Sequence, residues 1–503
     1  MKNLLALALI ALPLFSGDGK ADDRPVRMAL DSLPLSFGVP YRTSVIPSIY
    51  VTAALFDGLT RIDPDGTLKP WLATGWESSD GVTWRFTLRD DVKFSNGAPL
   101  TAEAFAVAAN YLSTDEAIRE GLRREITPLK GGRVIDDHTV EITLAEPDAT
   151  FPRSASALYV AEPGAWQTMG RDQFGQTPVG TGPFQLVRWE ANKAVLKAFE
   201  GSWRKPKIND LEIVAVPDRA SRLQALIAGQ VDIAVGLAAG DMDIVEANGG
   251  KGLRFASPQV AGWYFMLIRD GKPVDTPMQD VRVRRAMAMA IDRKLIVDAL
   301  MYGEARLATQ PSTAAAYGHN PDLKPLPYDP EAAKKLLTEA GYPNGFEMTF
   351  MATSGAVGVD TEVAQKAADD LSRIGIKVTI LTEPVPQFLQ HLSRATFPTD
   401  AFTGAWPAEP SMDAIRTMRL HSCLRREPFY CDQRIMPAIE RAMTTMDEAE
   451  GLRLRHEVMK FYHDEVSGIY FFDGTVFVGA ADYIDGMSMA HNIIAFDQIR
   501  SAR

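Results

Sequence analysis

Cysteine is nearly absent from this chain of 503 residues, which has only Cys423 and Cys431. That scarcity excludes a small disulfide-framed scaffold and a cysteine-rich metal domain. Long apolar runs are missing too. The run from Leu4 to Phe15 is about twelve residues, short of the roughly 20 that span a bilayer, and no later segment is apolar for long enough. There is no excess of basic charge: 53 Lys and Arg stand against 64 Asp and Glu, for a net charge of −11, which argues against nucleic acid and anionic membrane surfaces as partners. Internal repeats and low-complexity tracts are absent.

Catalytic signatures are missing as well. His456-Glu457 is not followed by the second histidine of H-E-x-x-H, and His138, His319, His391, His421, His463 and His491 are scattered. Gly180-Thr-Gly182 lacks both the G-x-G-x-x-G spacing and the lysine of a phosphate-binding loop, so it reads as a tight structural turn. No G-x-S-x-G elbow is present, and no carboxylate pair stands out among the 64 acidic residues. No catalytic residue, resident metal or cofactor is assigned. A secreted hydrolase stays as the remote alternative.

The N-terminus is informative. Lys2, the apolar run and Gly19-Lys20-Ala21, with small residues where a signal peptidase reads, predict a signal peptide over 1–21. Its removal takes away Lys2, Lys20 and Asp18, moving the net charge from −11 to −12. No cysteine follows the apolar run to carry a lipid anchor, so the expected location is the periplasm of a Gram-negative cell, with a mature protein that is not membrane-embedded. Export places Cys423 and Cys431 in an oxidising compartment, where a disulfide is expected. Metal binding is the competing reading. Only His421 is close by, and C-x7-C matches no zinc spacing.

Between Asp63 and Phe105, Val82, Trp84, Phe86 and Leu88 alternate with polar residues, the period of a half-buried strand. Val92 and Phe94 resume the alternation as a second strand, Ser95-Asn96-Gly97 turns, and Thr101 is placed to N-cap a helix carrying Glu103, Phe105, Ala108, Ala109 and Leu112. Further on, a helix, a glycine and a strand recur: 219–228, Gly229 and 231–235; a helix opened by Asp329-Pro330 and ended at Gly341, then 346–352; 361–374, Gly375 and 376–381. Helical spacing runs through Val283, Ala286, Met287, Ala290, Ile291 and Val297, with the methionines as core filler. This is α/β grammar, and about 480 mature residues predict two or three domains.

The stretch from Asp63 to Phe105 resembles the solute-binding proteins of peptide and nickel ABC importers. So do Pro178-Val-Gly-Thr-Gly-Pro-Phe184, Asp280-Val-Arg-Val-Arg-Arg-Ala286 with Ala290-Ile-Asp-Arg293, and Tyr328-Asp-Pro-Glu-Ala-Ala-Lys-Lys-Leu-Leu337. The resemblance implies a two-lobed periplasmic binding protein fold with a hinge and an inserted small third domain. Lobe I would comprise 22–44, 176–263 and 470–503, the inserted domain 45–175, and lobe II 264–469. It further implies a monomer that captures a small peptide or peptide-like solute between the lobes and delivers it to ABC permease subunits with their ATPases. A nickel chelate is the alternative cargo, and a chemotaxis sensor a further partner.

The resemblance also singles out site residues. In Thr403-Gly-Ala-Trp-Pro-Ala-Glu-Pro-Ser-Met-Asp413, Trp406 either stacks on the ligand or packs in the core. Peptide receptors usually carry an aspartate for the ligand ammonium near there. Here Trp406 occupies the matching position, with Glu409 and Asp413 out of register. The nickel-receptor branch has a tryptophan nearby and a Met-Arg pair like Met418-Arg419, but its chelator-binding arginine aligns with Leu158 or Tyr159. Trp263 and Tyr264 lie where the family places cleft-lining aromatics, and an interior strand would use the same residues. Arg416 either meets a ligand carboxylate or is a solvated surface charge.

Overall fold

A computed structural model describes residues 24–34, 38–42, 47–354 and 360–503; the expected signal peptide lies outside them. Aspartates start the helices that the sequence pattern located. Asp218 accepts the Ser221 N–H at 2.7 Å, Asp280 that of Arg282 at 2.8 Å, Asp292 that of Leu295 at 2.9 Å and Asp329 that of Ala332 at 2.9 Å. Asp292 thereby divides the apolar-periodic stretch after Asp280 into two helices, Val281–Ala290 and Arg293–Leu300.

The 63–105 region differs from expectation in two places. Thr83–Leu88 is a strand with Trp84, Phe86 and Leu88 buried, and Ala102–Ser113 is a helix, but the Thr101 side chain makes no capping hydrogen bond. Val92 and Phe94 are buried without forming a second strand. The Phe94 N–H binds the Ala98 carbonyl, so the chain doubles back at once and leaves a single bridge between Lys93 and Pro99.

One sheet of ten strands organises most of the molecule. At its centre two long antiparallel strands, Lys251–Phe265 and Gly468–Ala480, run side by side, with register shifts between Ala256 and Val260 and between Ala261 and Gly262. On one side of this pair the sheet continues through Ile233–Leu237, Val26–Leu30, Asp210–Ala215, Lys193–Ala198 and Phe184–Trp189. On the other it continues through Ala401–Pro407, Glu347–Ser354 and Lys377–Pro384. Glu347–Ser354 pairs in parallel with Lys377–Pro384 across the single helix Asp360–Ser372, whereas Val26–Leu30 pairs in parallel with Asp210–Ala215 only after the chain has built a separate sheet over 73–144.

A separate four-stranded antiparallel sheet occupies 73–144. Buried side chains form two large clusters, one around Trp84, Phe86, Phe184 and Val478, the other around Trp263, Met287, Phe350, Trp406 and Met459. Gly180 presses on the helix Ser48–Leu55: a Cβ there would stand 2.1 Å from the Leu55 carbonyl oxygen, which supports the structural-turn reading. Among the described residues no helix is long and apolar enough to cross a membrane.

Candidate functional site

A cavity of about 1260 Å³ is lined from both halves of the large sheet. Leu30, Val235 and Leu237 contribute from one half, Thr353, Thr403 and Gly404 from the other, and Ala261 and Phe472 from the long central strands. Its position follows from the topology: the lining comes from strands on both sides of the central pair, Lys251–Phe265 and Gly468–Ala480, which join the two halves of the sheet.

Trp263 and Tyr264 line this cavity, although each is almost wholly enclosed. Trp263 stacks on Phe350 at 4.0 Å between ring centroids, and Tyr264 donates its hydroxyl to the Ala405 carbonyl. Burial holds the Tyr264 phenol well above its ordinary pKa, so it stays a neutral donor. Trp406 lies one layer deeper. It has no exposed surface and meets Tyr264 edge-on at 4.2 Å and Tyr470 at 4.8 Å; Ala405 and Pro407 on either side reach the cavity in its place. Gly262 permits this packing, because a Cβ there would stand 2.1 Å from the Ile469 carbonyl oxygen and 2.7 Å from the Trp406 ring.

Arg416 is not a solvated charge. Its guanidinium is nearly buried and pairs with Glu125, and it lines a separate pocket of about 30 Å³ with Asp148, Asp413 and Arg455. Asp413 is committed to Arg455. Glu409 differs: it is partly exposed, yet its Oε2 is enclosed and has no hydrogen-bond partner. Burial, with Glu125 adding to it, pushes this carboxyl up to about 7 against the opposing effects of its own backbone N–H and Arg416. Met418 is core, Arg419 donates to the Thr127 hydroxyl at 3.0 Å, and Leu158 and Tyr159 are buried. Cys423 and Cys431 are joined in a disulfide. Among the described residues no cluster of three or more His, Cys, Asp or Glu is arranged to hold a metal ion.

Several lining groups escaped the sequence reading. The helix Val385–Arg394 presents Val385, Phe388, Leu389 and Leu392 to the cavity, a spacing of i, i+3, i+4 and i+7 that was legible as an amphipathic stripe. Six arginines also line the cavity: Arg124, Arg219, Arg222, Arg394, Arg425 and Arg426. Nothing in their sequence spacing marks them as a set, since they come from distant segments.

Comparison with known proteins completes the description. The family model for bacterial extracellular solute-binding proteins, family 5 (Middle), matches residues 67–422. The glutathione-binding protein GsiB of Salmonella typhi is 33% identical over 353 residues, 68% of this chain and 66% of that protein, just under two thirds of the relative's length. Among solved structures, the substrate-binding protein CtaP of Listeria monocytogenes superposes with a TM-score of 0.84 at 17% identity, covering 96% of this chain and 100% of that one. The periplasmic binding protein DppA of Helicobacter pylori, in complex with the peptide STSA, gives 0.76 at 21% identity, covering 95% and 98%. At these identities the superpositions establish the fold, a two-lobed binding-protein architecture.

Proposed function

The chain belongs to the bacterial extracellular solute-binding proteins of family 5, and from that premise we propose that it is the periplasmic substrate-binding component of an ABC importer. It takes a peptide or peptide-like solute into the cleft as a monomer and hands it unchanged to the membrane permease. The observation that carries this reading is the cavity of about 1260 Å³ lined from both halves of a sheet whose halves meet at two long strands. A solute touching both walls favours the closed form over the open one by its differential contacts, and a permease that reads the closed form then receives only loaded protein. Trp263 and Tyr264 supply aromatic edges on the cavity floor. The glutathione named for the Salmonella relative is itself a small peptide, which supports the cargo class.

Thermal unfolding against dipeptides, longer peptides, glutathione and nickel with histidine tests the reading. A cognate solute at 100 times its Kd adds about 2.7 kcal/mol. Stabilisation by nickel with histidine and by no peptide would replace the peptide cargo with a metal chelate. Peptide recovered cleaved after incubation would make the protein a hydrolase.

A further inference from the structure

We infer, resting on the reading of a peptide-like cargo just given, that the cleft is built for an anionic solute carrying an apolar side group. The protein as a whole is acidic, with a net charge of −11, yet its cavity is lined by six arginines against four carboxylates, Asp31, Glu125, Asp360 and Glu427. Glu125 is neutralised by Arg416, whereas Asp360 and Asp31 accept from neutral donors, the Thr353 hydroxyl at 2.8 Å and the Ser32 N–H at 2.8 Å, which do not cancel their charge; with Glu427 this leaves three acidic charges at the cavity.

The arginines are less satisfied. Arg219 is spent on Asp241 at 3.1 Å. The side chains of Arg124, Arg394 and Arg426 are exposed and make no hydrogen bond or ion pair among the described residues. Arg222 is 4% exposed and is held by backbone carbonyls alone, with Nη1 on Val216 and Pro217 and Nη2 on Gly236; its Nε is enclosed without a partner. A guanidinium buried among carbonyls, with no carboxylate in ion-pair contact, projects positive potential into the cavity beside it. Burial lowers the Arg222 pKa, with Asp31 and Asp218 opposing, and the group remains a cation at neutral pH.

The apolar half of the argument comes from the helix Val385–Arg394. Leu389, on its cavity face, is 53% exposed, an unpartnered apolar surface beside Phe388 and Leu392. The two halves meet at one place: Arg425 donates to the Leu392 carbonyl, so the cations at 394 and 425 sit at the C-terminal end of the helix that carries the apolar face. Complementing the helix dipole accounts for cations there. It does not account for Arg222 and Arg124, which reach the cavity from other segments. A carboxylate suits a guanidinium fork, and an apolar side group suits the stripe next to it.

Calorimetric titration with four tripeptides tests this: Glu-Phe-Glu, Ala-Phe-Ala, Lys-Phe-Lys and Glu-Ala-Glu. Glu-Phe-Glu is expected to bind about 10-fold more tightly than either Ala-Phe-Ala or Glu-Ala-Glu, the scale of one charge-assisted contact or one buried side chain. Lys-Phe-Lys is expected to bind least. Salt should weaken Glu-Phe-Glu more than Ala-Phe-Ala, which has no net charge. The double variant Arg394→Gln/Arg426→Gln, both at exposed positions, should lose about 10-fold for Glu-Phe-Glu and clearly less for Ala-Phe-Ala, whose one carboxylate is at its C-terminus. Leu389→Ser should erase the preference for phenylalanine. Ala-Phe-Ala or Lys-Phe-Lys binding as tightly as Glu-Phe-Glu would overturn the inference and leave the peptide reading intact; binding of none of the four would remove both.

Discussion

Arg455 donates from Nε and Nη2 to the two carboxylate oxygens of Asp413, at 2.9 and 2.7 Å, with both side chains enclosed by protein. A second guanidinium lies beside them: Arg153 donates to the carbonyls of Gly66, Ser411 and Met412 and has no carboxylate of its own in contact. The ring of Tyr317 covers both cations, 4.8 Å from Arg455 and 5.2 Å from Arg153. One carboxylate in direct contact therefore serves two buried charges, with Asp148 acting on Arg455 from farther off, where the segment before Pro163 meets the loop after Trp406. Burial by itself would raise the Asp413 carboxyl; Arg455, the Ile415 N–H and Arg153 together hold it below its ordinary value.

Asp413→Asn should therefore be among the most damaging single changes in the chain. It leaves Arg455 and Arg153 without a carboxylate in contact, and breaking such a buried pair costs about 3–5 kcal/mol. Urea unfolding measures the loss. The sign with pH is set by the lowered pKa: the pair's contribution is present above the ordinary carboxylate range and is lost as pH falls through the folded-state value. The wild type should lose its advantage over the variant in acid. A gap that stays constant down to strongly acidic pH would show that Asp413 does not titrate as described.

Trp406→Ala should cost about 3–5 kcal/mol, because it empties a fully enclosed site between Tyr264 and Tyr470. Trp406→Phe should cost less and keep solute affinity, since Nε1 has no partner to lose. Unchanged stability together with abolished binding in the alanine variant would put the ring back in contact with the ligand.

The sequence disclosed the α/β order, the helix opened by Asp329 and the half-buried strand Thr83–Leu88, because each rests on interactions within a few residues or on a fixed periodicity, and it disclosed the disulfide through the oxidising compartment that export implies. Val92 and Phe94 misled for the same reason. Their alternation was real, but strand pairing needs a partner, and the turn closing at Ala98 left room for one bridge. The cavity wall was beyond local patterning. Arg222 and Arg426 lie about two hundred residues apart, and only the fold brings them to one cavity. Depth was equally hidden: Trp406 and Pro407 are neighbours in sequence, yet one is core and the other lines the cleft, as alternation along a strand requires.

Glu409 should make the protein less stable as pH rises. Its carboxyl is pushed from an ordinary 4.5 up to about 7 by burial, so the folded state holds a proton that the unfolded chain has already released. Stability falls across the window from about 4.5 to about 7 and is level above it. Glu409→Gln removes that loss. The variant should match the wild type at pH 4 and exceed it at pH 8, by on the order of 2 kcal/mol after allowing for partial exposure. Thermal melts at the two pH values decide the matter, and a variant less stable at pH 8 would mean that the ionised carboxylate has a partner.

Replacing Cys423 and Cys431 together by serine should separate two effects of one short loop. Releasing a bridge between residues eight apart costs about 2–3 kcal/mol in the chain-entropy model, which urea unfolding reads. The loop also carries Arg425, Arg426 and Phe429 into the cavity, with Arg425 anchored on the Leu392 carbonyl. Loosening it gives those side chains orientational freedom that binding must remove, so solute affinity should fall even at temperatures where the variant is fully folded. Affinity unchanged in a folded but less stable double variant would confine the bridge to stability and place the ordering of the arginine loop elsewhere, in the Arg425 anchor and the packing of Phe429.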